Sequence, residues 1–108
     1  MKVMVAGSRG VSKPIDKYMP PETTLIISGG AFGIDRCAEV YAKEHNIPII
    51  IVRPDYKKYG RTAPLVRNKE MVDMADLVIA IWDGRSRGTK DTIDYAIKTN
   101  KRLRIYNG

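Results

Sequence analysis

A single cysteine, Cys37, and a single histidine, His45, stand in the 108 residues of this chain. One thiol can close no internal disulfide and build no cysteine-based zinc cluster, so neither kind of staple holds the fold. No grouping of His, Asp and Glu has the spacing of a metal site, and Cys37 and His45 read as a core thiol and a helix-end residue. No apolar run approaches the length of a membrane span. Met1-Lys2-Val3 leads straight into an apparent strand rather than a signal peptide, so a soluble cytoplasmic protein without a membrane partner is expected. Internal repeats, linkers and low-complexity segments are absent. So are the GxGxxG dinucleotide fingerprint and the P-loop pattern, which disfavours nicotinamide and ATPase chemistry.

The apolar residues that are present come in short β-branched blocks. Asp76-Leu-Val-Ile-Ala-Ile81 is too short for a helix and apolar after its first residue, the pattern of a strand buried on both faces of a parallel sheet. Lys2–Ala6, Thr24–Ser28, Pro48–Val52 and Leu103–Tyr106 read as strands too. Between them, Ile34, Cys37, Ala38, Tyr41 and Ala42 recur at helical spacing up to His45-Asn46. A further helix runs from about Pro64 to Met74, and another begins after Gly88 and turns Ile93, Ala96 and Ile97 inward. Ser12 caps a short helix over Pro14–Met19 that Pro20-Pro21 stops, while Arg53–Ala63 is irregular, punctuated by Pro54 and Gly60. Strands alternating with helical crossovers imply an α/β fold: one three-layer Rossmann-like domain, about five parallel strands with helices on both faces.

In such a sheet three loops project from the carboxyl edge, where ligands bind. They are Gly7-Ser8-Arg9-Gly10, Ser28-Gly29-Gly30-Ala31-Phe32-Gly33 and Asp83-Gly84-Arg85-Ser86-Arg87-Gly88-Thr89. A glycine-bearing loop that opens onto a helix N-terminus points free N–H groups at an anion. Three of them, interspersed with Ser, Thr and Arg, are harder to explain by turn geometry than one. Ser86, Gly88 and Thr89 would donate to a phosphate, or a hydroxyl among them would cap the last helix. Arg9 and Arg67 would clamp phosphate oxygens, or form surface ion pairs. Trp82 either stacks a base or fills the core. Asp35 either contacts a ribose or stabilises its own helix N-terminus.

The net charge of +7 is unevenly placed: Arg53–Glu70 carries a net +4 and Arg85–Arg104 a net +5, leaving the remainder slightly acidic. Such concentration favours an anionic ligand, small nucleotide or nucleic acid. Lys98, Lys101, Arg102 and Arg104, farthest from the loops, read as solvated surface.

Five motifs in order span nearly the whole chain: G-S-R-G at Gly7, S-G-G-A-x-G-I-D at Ser28, R-N-x-x-M at Arg67, A-D-x-x-I-A at Ala75 and W-D-G-x-S-x-G-T at Trp82. Their combination resembles the SLOG superfamily, and within it the small YspA/YpsA-related group of bacteria and phages. The resemblance implies a Rossmann-like fold that binds nucleotides or nucleotide-derived ligands, with Asn68 and Trp82 among the motif residues at the site. Related LOG-type phosphoribohydrolases carry R-K-x-x-M and then P-G-G-x-G-T-x-x-E, whose Arg and Glu cleave an N-glycosidic bond. Arg67, Met71, Gly88 and Thr89 match those motifs, whereas Asn68 takes the Lys position and Thr92 the Glu position. Hydrolysis would then need Asp83 or Asp91 beside Arg67, although Asp91 projects about 100° from Thr92 around a helix.

Three functions are therefore expected, in this order. The first is a sensor or binding module for an ADP-ribose-like or nucleoside phosphate ligand, with no cofactor required. The second is an N-glycosidase acting on nucleotide derivatives. The third is a binder of single-stranded nucleic acid in the manner of DprA, stacking bases on Tyr56 and Tyr59 among Lys57, Lys58 and Arg61. A homodimer joined through the edge strand near the C-terminus is expected alongside.

Overall fold

The computed structural model describes residues 1–108. Five parallel strands, β1 (Lys2–Gly7), β2 (Leu25–Ser28), β3 (Ile49–Ile51), β4 (Leu77–Trp82) and β5 (Arg102–Asn107), form one sheet in the order β3-β2-β1-β4-β5. Three helices of eleven or twelve residues cover it: α1 (Ile34–Glu44), α3 (Ala63–Met74) and α4 (Arg87–Lys98), with the single turn α2 (Tyr56–Tyr59) before α3. The α/β, three-layer Rossmann-like architecture expected from the apolar blocks is the observed one. No helix is long and apolar enough to cross a membrane.

The strands are apolar throughout because the sheet has a core on each face. Along β1, Val3 and Val5 join Ile34, Ala38 and Ala42 of α1, while Met4 and Ala6 join Met71 and Val72 of α3 and Ala96 of α4. β4 alternates likewise, with Leu77, Ile79 and Ile81 on the α1 side and Val78 on the other. Each of these larger side chains stabilises the fold by roughly 1.5–3 kcal/mol through burial. The two central strands thus form the rigid base from which the carboxyl-edge loops spring.

Three expectations are corrected. The β1–β2 connection holds no α-helix, only a 3-10 turn at Asp16–Tyr18. Pro20 forces Met19 into an extended conformation, which ends the turn before a helix can propagate. Tyr18 and Met19 nevertheless fill the space a helix would occupy, and Tyr18 packs on Tyr106 at 4.4 Å between ring centroids. Within the stretch read as irregular, Tyr56–Tyr59 is helical, because the Asp55 carboxylate accepts the N–H of Lys58 at 3.1 Å and caps the turn. Ile97 does not turn inward but is 60% exposed. The buried face of α4 is Thr89, Thr92, Ile93 and Ala96, and Ile97 lies one residue past that stripe.

Candidate functional site

The strand order reverses between β1 and β4: the chain runs outward through β2 and β3, then returns to lay β4 on the other side of β1. Loops leaving the two strands diverge there and open a crevice at the carboxyl edge. The crevice is a cleft of about 380 Å³, a size suited to a small ligand. Met4, Val5, Ala6 and Gly7 of β1 make its floor. Arg9 and Gly10 come from the first loop, Ala31 and Asp35 from the second, and Pro64, Arg67, Asn68 and Met71 from α3. The loop after β4 and the start of α4 supply Asp83, Ser86, Gly88, Thr89 and Thr92.

The α4 side is receptive to an anion. The Asp83 carboxylate accepts the N–H groups of Arg85 and Ser86, each at 2.8 Å, which folds the loop back and starts the helix at Arg87. The N–H groups of Arg87, Gly88 and Thr89 then have no acceptor within the chain, and no side chain caps them. Trp82 donates from Nε1 to the Ser86 carbonyl at 3.0 Å and braces this loop from behind. The two N–H bonds hold the exposed Asp83 carboxyl below its ordinary pKa, so it is an anion rather than a proton donor near neutrality.

Opposite stands Arg67, half-buried and fixed from both ends of its guanidinium. Nη1 donates to the carbonyls of Gly29 at 2.9 Å and Val52 at 3.2 Å, and Nε donates to Asn68 Oδ1 at 3.0 Å. Nη2 makes no hydrogen bond within the chain. Burial lowers the Arg67 pKa, yet a guanidinium stays charged. Asp35, 8% exposed, accepts the Ala31 N–H at 3.1 Å. Burial raises its pKa against the opposing pull of that bond and of Arg67. The cleft therefore holds two cations, Arg9 and Arg67, and two acids, Asp35 and Asp83. What it offers an anion is directed N–H groups and a fixed guanidinium rather than net charge.

Several residues expected at the site have a role in the scaffold. Ser8 is buried and its Oγ accepts the Asp83 N–H at 3.1 Å, tying the first loop to the third. Ser28 Oγ accepts the Gly30 N–H at 3.3 Å, and Gly30 packs beside Arg53. At Gly33, φ is +76° and a Cβ would lie 2.5 Å from the Arg9 carbonyl oxygen. At Gly29 a Cβ would lie 2.7 Å from Arg67 Nη1. These glycines let protein approach protein, and Gly7, on the floor, makes room for Ile34. Gly84 and Trp82 shape the third loop without lining the cleft. Asp91 also lies off the cleft, accepting from Asn68 Nδ2 at 3.4 Å, which leaves Asp83 as the one of the two expected carboxylates that lines it.

Wall residues outside the expected set are Met4, Val5, Ala6, Gly10, Pro64, Met71 and Thr92. Helical spacing would have found some of them: Pro64 and Met71 sit three and four residues from Arg67, on its face. Thr92 Oγ1 donates to the Gly88 carbonyl at 3.3 Å, so its hydroxyl is already engaged. No family model, curated protein or solved structure matches the chain.

Proposed function

We propose that this protein binds a nucleotide or nucleotide-derived ligand, of the nucleoside phosphate or ADP-ribose-like class, at the β1–β4 cleft, as a sensor or binding module. One observation carries the reading: the unengaged N–H groups of Arg87, Gly88 and Thr89 begin a twelve-residue helix at a cleft whose other wall holds the fixed Arg67 guanidinium. A phosphate seated there accepts from the backbone, gains from the helix dipole and meets a charge-assisted donor, each such bond contributing roughly 1.5–3 kcal/mol. The apolar floor from Met4 to Ala6 suits a sugar or base edge. Membership of the SLOG superfamily, a cytoplasmic location and a homodimer through the unpaired β5 edge belong to the same proposal.

Calorimetric titration with nucleoside 5′-monophosphates and ADP-ribose tests it. Saturable binding is expected, weakened about tenfold or more by Gly88→Glu. A Cβ at Gly88 meets nothing within 4 Å, so this variant adds a carboxylate at a cleft-lining position where the backbone has room for a side chain. Wild-type affinity in that variant, or no binding by any probe, overturns the proposal.

A second reading, hydrolysis of an N-glycosidic bond in the same ligand, is favoured by Asp35. The position that resembles the hydrolase Glu is Thr92, but Asp35 brings a buried carboxyl with a raised pKa to the cleft from the opposite side, near Arg67. A carboxyl whose pKa is raised by burial holds its proton to higher pH than a solvated one, the direction a donor to a departing base needs. Chromatography of nucleoside phosphates incubated with the protein would reveal free base; its absence across all four bases removes this reading.

A further inference from the structure

Beyond Arg67 lies a second recess of about 310 Å³, so that this one residue lines both spaces. Arg53 and Lys58 contribute two more cations to it, with Asp55 and Glu70 as the acids. None of the three cations lies within 4 Å of a carboxylate; the chain's ion pairs are His45–Asp16 and Lys90–Asp94. Asp55 is occupied in capping α2, and Lys58 lies over the ring of its own neighbour Tyr59 at 5.1 Å. Arg53 makes no hydrogen bond of its own and is propped against Gly30, where a Cβ would lie 2.9 Å from its Nη1. Three cations against two acids around a concavity leave an excess of positive charge for an anion from outside the chain.

We propose that this recess is a second anion subsite, and that the ligand carries two separated anionic groups, one on the α4 N-terminus in the cleft and the other across Arg67 against Arg53 and Lys58. Arg67 is suited to the shared position: Nη1 and Nε are used up in fixing it, and Nη2 is left to donate. The inference rests on the cleft being a nucleotide site and narrows the ligand to nucleotides with a second phosphate or comparable anion apart from the first.

Calorimetry with AMP, ADP and adenosine 3′,5′-bisphosphate tests it on the wild-type chain and on Arg53→Ala and Lys58→Ala. The bisphosphate is expected to bind about tenfold tighter than AMP, and each substitution to remove most of that gain while changing AMP affinity less than about twofold. Arg53 and Lys58 are both exposed, so neither substitution is expected to disturb folding and the two test the recess independently. The inference alone falls if AMP binds and the bisphosphate binds no tighter, if ADP gains equally because charge and not separation matters, or if the substitutions weaken AMP as much as the bisphosphate. If neither AMP nor the bisphosphate binds, the cleft reading falls with it.

Discussion

The loop Ser28–Gly33 after β2 and the loop Asp83–Thr89 after β4 face each other across the cleft, alike in composition and opposite in the use of their backbones. In the first, Ser28 and Asp35 take up the N–H groups of Gly30 and Ala31, and the glycines are crowded by Arg67, Arg53 and the Arg9 carbonyl. In the second, Gly84 and Gly88 have open space where a Cβ would stand, and the helix that follows begins with three unengaged N–H groups. One loop spends its N–H groups within the chain and the other leaves them open. A glycine-rich motif therefore answers two physical needs, close packing of protein on protein and close approach of a ligand, which only the third dimension separates.

The comparison breaks most visibly at its glycines. Gly33→Ala is expected to destabilise the fold by roughly 2–4 kcal/mol, because it combines a left-handed backbone with overlap on an unyielding carbonyl; chemical denaturation measures it. Stability within about 0.5 kcal/mol of wild type would mean that the first loop is not packed as described. Gly88→Glu should do the reverse, leaving the thermal midpoint in place while costing about tenfold or more in nucleotide affinity.

The two carboxylates sharpen the contrast by pH. Burial raises the Asp35 pKa, so what this group contributes to stability is full below the ordinary carboxylate pKa and is lost as pH rises through its folded value. Asp35→Asn should therefore raise the melting temperature at pH 7, on the order of a few degrees, and the gain should vanish in acid. Asp83 behaves oppositely. Its pKa is lowered by the two N–H bonds, and its contribution is lost only as acid protonates it. A melting gain for Asp35→Asn that does not depend on pH would remove burial of the charge as the cause. The smallest effect is expected for Gly88→Ala, within about 0.5 kcal/mol of wild type by denaturation, since the added methyl meets open space and Ala is the better helix former.

The layers and the three long helices were legible because strands buried on both faces must be apolar without alternation, and α1 has a strong 3.6-residue stripe. Short elements were not. The turn Tyr56–Tyr59 depends on one cap, Asp55, and Asp16–Tyr18 is what the prolines leave of a helix. Ile97 misled because an apolar residue at the end of a helix reads as core, whereas two threonines, Thr89 and Thr92, hold the buried positions. At the site, Arg67, Asn68, Gly88 and Thr89 were found through motif order. The apolar floor was missed, since β1 residues read equally as core, and which glycines serve packing depends on contacts between loops more than twenty residues apart in the chain.

The central claim is that a phosphate sits on the N-terminus of α4. Amide chemical shifts of the labelled protein, followed by NMR through a titration with AMP, test it most directly. Saturable shifts largest at Arg87, Gly88 and Thr89, accompanied by Gly10 and the Arg67 side chain, are the predicted result. Shifts confined to Tyr56–Tyr59, or none at millimolar AMP, would contradict it.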